Sequence, residues 1–209
     1  MKIKICTPVI GKTLKEFLKN LDNVQEISEM VELRVDKMKN LNKKDLQLIR
    51  KKTVKEAIFT SRRKDIILMS LDLEFDFIDI DFSMIGDLKL SKLKQSKIIL
   101  SFHDFNETPS LVLLRKIKKK MKLFKPEVIK IATTVKKNAD INNLLKFLLN
   151  KNKNEKMIVV GMGKKGRIIR ILGPLLGSFL TFASTQYGKT APDQIDIGKM
   201  KDIYKLLNY

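Results

Sequence analysis

The sequence predicts a (β/α)8 barrel, because short β-branched runs alternate with longer stretches of helical periodicity along nearly the whole chain. The chain has 209 residues, which is close to the lower limit for that fold, and no Gly/Ser/Pro-rich linker divides it. An open doubly wound sheet is the main alternative, but no Gly-x-Gly-x-x-Gly follows the first run. We therefore expect one compact barrel domain over residues 1–209.

Eight short apolar runs are the candidate strands, and each is bounded by polar or turn-forming residues. In chain order they are Lys2–Pro8, Met30–Val35, Glu56–Thr60, Phe77–Phe82, Lys97–Phe102, Val128–Ala132, Met157–Gly161 and Phe179–Ser184.

Stretches rich in Lys, Asn and Leu lie between these runs, and their apolar residues recur at helical spacing. The predicted helices are Thr13–Leu21, Lys43–Lys52, Ser83–Gln95, Ser110–Lys122, Ile141–Asn150, Arg167–Leu176 and Ile197–Leu207. The connection from Arg62 to Asp76 is barely long enough for a parallel crossover. We expect a shortened third helix there.

The net charge of +20 and the isoelectric point near 9.9 raise the question of nucleic-acid binding. The lysines are spread over nearly every segment, however, and aromatic residues do not interleave with them. We interpret them as solvated helix faces and expect no specific nucleic-acid partner. The charge would help to steer an anionic substrate.

Cys6 and His103 are the only cysteine and histidine of the chain. One cysteine excludes an intramolecular disulfide framework and a cysteine-based metal cluster, and one histidine leaves no obvious transition-metal site, so we expect no metal. No apolar stretch is long enough for a signal peptide or a membrane span, so we expect a cytoplasmic protein without a membrane partner.

Polar residues stand inside or directly after the apolar runs, where a barrel of this type carries its catalytic groups. They are Glu32, Arg34, Arg62, Asp79, Asp81, His103 and Lys130. Glu32 and Arg34 alternate along the second run and therefore point to one side of the strand, as Asp79 and Asp81 do along the fourth. Six of eight runs with polar residues near their ends favour a functional cleft over simple solvent exposure.

Lys130 lies in the apolar run Val-Ile-Lys-Ile-Ala, where burial favours a neutral amine. We expect the cationic Arg34 and Arg62 to lower the pKa of Lys130 further, which leaves a nucleophile that forms an imine with a carbonyl substrate. The iminium acidifies the adjacent carbon, and His103 can move that proton. The arginines indicate an anionic, carboxylated substrate.

In their order along the chain, these motifs resemble those of type I 3-dehydroquinate dehydratase, the Schiff-base hydro-lyase of the shikimate pathway. They are Glu-Leu-Arg-Val-Asp at 32–36, Phe-Thr-Ser-Arg at 59–62, Ile-Asp-Ile-Asp at 78–81, Ser-Phe-His-Asp-Phe at 101–105, Val-Ile-Lys-Ile-Ala at 128–132, Gly-Met-Gly-Lys-Lys-Gly at 161–166, Gly-Ser-Phe-Leu-Thr-Phe at 177–182 and Ala-Pro-Asp-Gln at 191–194.

The resemblance implies that Lys130 forms an imine with the C3 ketone of 3-dehydroquinate, and that His103 abstracts the C2 proton and assists loss of the C1 hydroxyl. It also implies substrate-binding roles for Glu32, Arg34, Arg62, Arg170, Thr190 and Gln194, with Arg170 as the carboxylate-binding arginine and Thr190 where the family usually has serine. No cofactor is implied, and the family's assemblies predict a homodimer.

The sequence departs from the family pattern at three further places, one of which is the stretch from Arg62 to His103, which is shorter than usual. After the arginine of the third run the family usually has Glu-Gly-Gly, whose carboxylate supports the histidine, whereas Arg63-Lys-Asp-Ile stands here. Asp65 and Asp81 are the candidates for that role. Asp193 replaces the glycine that usually precedes Gln194.

Two other functions fit parts of the sequence. A class I aldolase of similar barrel design would also use an imine, but its motifs would not combine Ser-Phe-His-Asp with the late Ala-Pro-Asp-Gln loop. A basic binding protein on a decayed barrel would bind nucleic acid in a salt-sensitive way without lyase turnover.

Overall fold

The computed structural model describes residues 3–87, 96–191 and 193–209. Within them eight strands form a parallel sheet of order β7-β6-β5-β4-β3-β2-β1-β8, which curls into a nearly closed barrel. The strands are β1 Ile5–Val9, β2 Met30–Arg34, β3 Glu56–Thr60, β4 Phe77–Asp81, β5 Lys97–Asp104, β6 Val128–Thr134, β7 Met157–Met162 and β8 Thr181–Phe182. The predicted (β/α)8 barrel is confirmed.

The seam between β7 and β8 is closed by single hydrogen bonds rather than by a strand ladder. The amide of Phe179 donates to the carbonyl of Met157 at 2.7 Å, and the amide of Val159 donates to the hydroxyl of Ser178 at 3.3 Å. Because these contacts replace strand pairing, β8 has only two residues. The predicted run Phe179–Ser184 was therefore too long.

Helices connect the strands: α1 Leu14–Ile27, α2 Lys43–Lys52, α3 Lys64–Ser70, α4 Leu111–Lys122, α5 Asn138–Leu149, α6 Arg167–Leu175 and α7 Ile197–Leu206. In the described part of the chain, 3-10 turns at Val35–Lys37, Phe82–Asp87 and Lys164–Gly166 follow β2, β4 and β7. None of the described helices is long and apolar enough to cross a membrane.

Two of the predicted helices differ from the structure in an informative way. α1 extends past the predicted end at Leu21, because Val24 continues its buried stripe. The predicted helix Ser83–Gln95 begins instead as a 3-10 turn, and residues 88–95 lie outside the described part of the chain. The expected shortening of the third crossover is seen in α3, which has seven residues.

Strand alternation builds the barrel interior in layers, since every second side chain of a strand points inward. The lower interior layer is apolar and includes Met30, Ile58, Phe77, Ile99, Val128 and Ile158. Two residues further along β2, β4 and β6 the same alternation places Glu32, Asp79 and Lys130, all buried. The fold thus sets a layer of charged residues on an apolar floor.

Candidate active site

A single cleft at the carboxyl ends of the strands contains all eight of the site residues expected from the sequence. It encloses about 570 Å³ of empty space, part of it open to solvent. Its walls include Glu32, Arg34, Arg62, His103, Lys130, Arg170, Thr190 and Gln194. Of the described residues, Phe105, Ala132, Val160, Met162, Phe182 and Ala191 also line it.

Lys130 projects from β6 into the floor of this cleft and is 6% exposed. Its Nζ donates to Asp79 Oδ2 at 2.7 Å, lies 3.9 Å from Glu32 Oε1 and stands 4.7 Å above the centre of the Phe182 ring. Burial lowers the pKa of Lys130, but the attraction of Asp79 and Glu32 outweighs it, so the pKa is raised. The expected lowering of the pKa of Lys130 was wrong, because the attraction of these carboxylates is stronger than the repulsion by Arg34.

Asp79 contacts Lys130 but is not among the site residues predicted from the sequence. The sequence marks it only as a polar residue of the fourth run. Asp79 is 3% exposed and lies on the interior face of β4, which pairs directly with β5. The signal was available, because a carboxylate in the middle of an apolar strand needs a cationic or hydrogen-bonding partner when it is buried.

Arg34 is already engaged by a neighbour in its own chain segment. Its Nε and Nη2 donate to the two carboxylate oxygens of Asp36 at 2.8 and 2.9 Å. Burial acts to lower the pKa of Arg34, yet the fork of hydrogen bonds to Asp36 raises it. This pairing explains why Arg34 contributes less to the electrostatics of Lys130 than the sequence suggested.

His103 is the last residue but one of β5, and its Nδ1 lies 2.8 Å from Asp81 Oδ2. The other oxygen of Asp81 accepts from the amide and the hydroxyl of Ser83, at 3.0 and 2.6 Å. Burial acts to raise the pKa of Asp81, but these hydrogen bonds lower it to about 2. An ionised Asp81 requires the proton on Nδ1, so Nε2 is the nitrogen free to act in the cleft.

The two candidate carboxylates for His103 thus occupy different surroundings. Asp65 lies in the first turn of α3, where it pairs with Arg63 at 2.6 Å on the exposed surface. Asp81, from β4, is the one that contacts the imidazole. Asp81 reaches His103 because β4 and β5 are adjacent strands and Asp81 lies beside Ser101 in their ladder.

Arg170 is held in the cleft by a tight turn ahead of α6. A Cβ at Gly166 would lie 2.4 Å from the carbonyl carbon of Gly161, so the two glycines permit the close approach that starts the helix directly after β7. Within α6 the hydroxyls of Thr181 and Tyr204 donate to the carbonyl of Arg170 at 2.8 and 3.0 Å.

The guanidinium of Arg170 is buried, with 3% of the residue exposed, and its Nε has no hydrogen-bond partner within the described ranges. Burial lowers the pKa of Arg170 to about 10, against the opposing influence of Asp193 and Glu32. A buried cation with an unused N–H on the wall of a cleft is suited to a carboxylate ligand.

Thr190 and Gln194 lie in the loop before α7, and their side chains hold that loop together. Gln194 Oε1 accepts from the amides of Thr190 and Ala191 at 2.8 and 3.3 Å, while its Nε2 donates to Thr190 Oγ1 at 3.1 Å. Both residues line the cleft. The hydrogen bonds of these two side chains lie within the loop, and their contacts with substrate stay predictions.

The described residues contain no group of three or more His, Cys, Asp or Glu side chains placed to hold a metal ion. What they do assemble is a buried lysine between two carboxylates, a histidine–aspartate pair and a buried arginine at the catalytic end of a (β/α)8 barrel. Those features define a (β/α)8 barrel with a charged cleft that is suited to imine chemistry on anionic carbonyl substrates.

Comparisons with known proteins show which family of barrels the chain resembles. A model of the type I 3-dehydroquinase family matches residues 5–209. A 3-dehydroquinate dehydratase from Coxiella burnetii is 40% identical over 216 residues, which cover 97% of this chain and 92% of the relative. One from Methanocaldococcus jannaschii is 32% identical over 223 residues, covering 98% and 99%. The chain belongs to the type I 3-dehydroquinase family.

A solved structure agrees with this assignment. Type I 3-dehydroquinate dehydratase from Clostridium difficile, described with covalently modified comenic acid, superposes with a TM-score of 0.86 at 26% identity and covers 99% of this chain and 92% of that one. The family resemblance of the motifs is therefore confirmed, together with the expectation that the chain is an enzyme of this family.

Proposed function

We propose that this protein dehydrates 3-dehydroquinate to 3-dehydroshikimate through an imine on Lys130, with His103 as the general acid and base and without a cofactor. Family membership and the names of relatives at 40% and 32% identity support the reaction. The observation that carries the mechanism is the placement of a buried lysine and a carboxylate-bound histidine in one cleft.

Imine formation begins with loss of a proton from the Lys130 ammonium, since only the neutral amine attacks a ketone. Asp79 Oδ2, 2.7 Å from Nζ, is the nearest base for that proton. The amine adds to C3, and the carbinolamine loses water to give the iminium. Because the nitrogen is again cationic, Asp79 and Glu32 then serve as its counter-ions in the buried floor of the cleft.

Elimination follows at the carbon next to the iminium. Nε2 of His103 takes the C2 proton, and the C2–H electron pair moves into the C3–nitrogen system to give an enamine. The enamine electrons expel the C1 hydroxyl, which leaves as water with a proton from the imidazolium of His103. Asp81 stabilises that imidazolium. Hydrolysis of the product iminium releases the enone and restores the amine.

Substrate binding is assigned to the polar wall of the cleft. Arg170 offers an unpaired, buried N–H to the substrate carboxylate. Glu32, whose Oε1 accepts from Thr60 Oγ1 at 3.2 Å, has an acceptor for a substrate hydroxyl. Arg62 stands at the rim and adds positive charge for an anionic substrate.

The test is turnover of 3-dehydroquinate by chelator-treated protein, followed by the absorbance of the conjugated enone. Borohydride added with substrate should reduce the iminium and leave a stable mass increase on the peptide that contains Lys130. Lys153, a surface lysine in a loop, serves as the matched site for nonspecific labelling. Folded protein without turnover would refute the dehydratase assignment, and label on a lysine other than Lys130 would refute the imine.

A class I aldolase is the second enzyme considered from the sequence, and product analysis separates it from the dehydratase. Aldol cleavage breaks a carbon–carbon bond and gives two carbonyl-containing fragments, whereas dehydration conserves the carbon skeleton. The covalent modification recorded for the C. difficile relative makes trapping of an adduct the first experiment for either mechanism.

A further inference from the structure

We propose that Phe105 is a positioning residue for His103, because its ring is the surface against which both the imidazole and the guanidinium of Arg62 stack. Phe105 follows β5 directly and is 58% exposed, although it lines the cleft. A phenyl ring this exposed contributes little to the hydrophobic core. Its contacts within the cleft therefore account for its position.

The ring of Phe105 is nearly parallel to that of His103, with an interplanar angle of 5° and a centroid separation of 5.8 Å. The guanidinium carbon of Arg62 lies 5.2 Å from the centroid of the same phenyl ring. Offset parallel rings and a cation over an aromatic face are both attractive arrangements. One phenyl ring therefore links the proposed base to a proposed substrate-binding cation.

The loop that carries Phe105 is tied to β6, the strand of Lys130. Thr134 Oγ1 donates to the carbonyl of Phe105 at 2.8 Å, and the hydroxyls of Thr108 and Thr133 are 2.9 Å apart in a buried position. Asp104 Oδ1 accepts from the amides of Asn106 and Glu107, each at 2.9 Å. These bonds fix where the phenyl ring stands relative to the catalytic strands.

His103 is consequently held from two directions. Asp81 fixes the edge of the imidazole through Nδ1, and Phe105 confines its face. The carboxylate alone would allow the ring to tilt about the Nδ1 contact. With the phenyl ring in place, Nε2 keeps one direction into the cleft, and the imidazolium formed during turnover lies against an electron-rich face. This role rests on the proposed function.

Leucine and tyrosine replacements test the proposal in the full-length protein. Phe105→Leu keeps an apolar side chain but removes the aromatic face, and Phe105→Tyr keeps the face. Phe124→Leu is the matched control, since Phe124 is also partly exposed but packs edge-on against Phe82, not in the cleft. We expect Phe105→Leu to lower kcat about two- to fivefold with little change in KM, and Phe105→Tyr to restore it.

A spectroscopic measurement reports on the stacking without any turnover. His103 is the chain's one histidine, so its ring-proton resonances need no assignment. The ring current of a stacked phenyl group should shift them upfield in the wild type, and Phe105→Leu should remove that shift while Phe105→Tyr and Phe124→Leu keep it.

The outcomes divide clearly. A loss of kcat in Phe105→Leu that tyrosine restores, with a moved imidazole resonance, supports positioning. Unchanged kcat, a rise in KM alone, or a loss that tyrosine does not restore overturns it, and unmoved resonances overturn the stacking itself. If wild-type protein does not turn over 3-dehydroquinate, the proposed function fails, and the resonances still decide whether Phe105 contacts His103.

Discussion

The two ends of this barrel use the same residue types for different purposes. At the carboxyl end, Lys130 and Asp79 form an ion pair whose side chains are 8% and 3% exposed. At the amino end, Lys4 and Glu56 form a pair with the same 2.7 Å separation, but their side chains are 42% and 35% exposed. Burial is the main difference between the two pairs.

Burial changes what such a pair does. An exposed pair is screened by water and salt and contributes about 0–1 kcal/mol to stability. A buried lysine interacts with its carboxylates in a low-dielectric floor, so its proton affinity depends on them and its removal leaves charges without a partner. The apolar layer of Phe77, Val128 and their neighbours separates the two ends. The comparison teaches that, in a lysine-rich chain, position in the barrel distinguishes the lysine proposed to react from the exposed ones.

The largest effect is expected at Lys130. Lys130→Met keeps the length of the side chain but removes the nucleophile, so kcat should fall by about 10³-fold or more and no borohydride-stable adduct should form. Asp79 and Glu32 would lose their buried cation, so we also expect about 3–5 kcal/mol of lost stability in urea unfolding. Turnover within tenfold of wild type by the folded variant would end the claim that burial singles out this lysine.

His103→Ala should come next. General acid–base catalysis contributes about 10²–10⁴-fold, so turnover should fall by that factor while the amine of Lys130 still attacks the ketone. Intact-protein mass spectrometry after mixing with substrate should therefore find an iminium that accumulates in His103→Ala and is missing in Lys130→Met. A His103→Ala protein with near-normal turnover would leave the histidine a structural residue.

The sequence predicted the barrel because strand and helix periodicities are local signals. It predicted that Glu32, Arg34, Arg62, His103 and Lys130 gather because parallel strands end at one face, whereas Arg170, Thr190 and Gln194 followed only from the family resemblance. It could not give the balance of charges around Lys130. That balance depends on Asp79, which is distant in sequence but 2.7 Å away in space, and on the capture of Arg34 by Asp36. Closure at β8 escaped prediction too, because single hydrogen bonds replace a periodic strand.

A smaller loss of kcat is expected when Asp81 is replaced, and Asp65, the other candidate partner of His103, serves as the control. Asp81→Asn should lower kcat by about tenfold or more with little change in KM, since an amide cannot hold the imidazolium as an ionised carboxylate does. Asp65→Asn should leave both parameters near wild type, because Asp65 lies on the surface with Arg63. Equal effects of the two substitutions would remove the orienting role from Asp81.

The pH dependence of stability follows from the same contact. The pKa of Asp81 in the folded protein is about 2, below its ordinary value of 3.8. A lowered pKa stabilises the fold fully above the ordinary value, and this stabilisation is lost as pH falls from about 4 toward 2. Urea unfolding at several pH values should therefore show wild type losing more stability than Asp81→Asn across that interval. Parallel curves would contradict the assignment.

The smallest effect is expected at the amino end, where Lys4→Met tests the other half of the comparison. Nζ of Lys4 contacts both oxygens of Glu56, at 2.7 and 3.0 Å, and stands 5.2 Å from the centre of the Phe179 ring. Methionine keeps much of the apolar stem against that ring while it removes the charge. Stability should therefore change by less than about 1 kcal/mol, with a smaller difference from wild type at high salt, and kcat/KM should stay within about twofold. A large loss of activity would mean that charge at the amino end reaches the chemistry through the apolar floor, and the separation of the two ends would not hold.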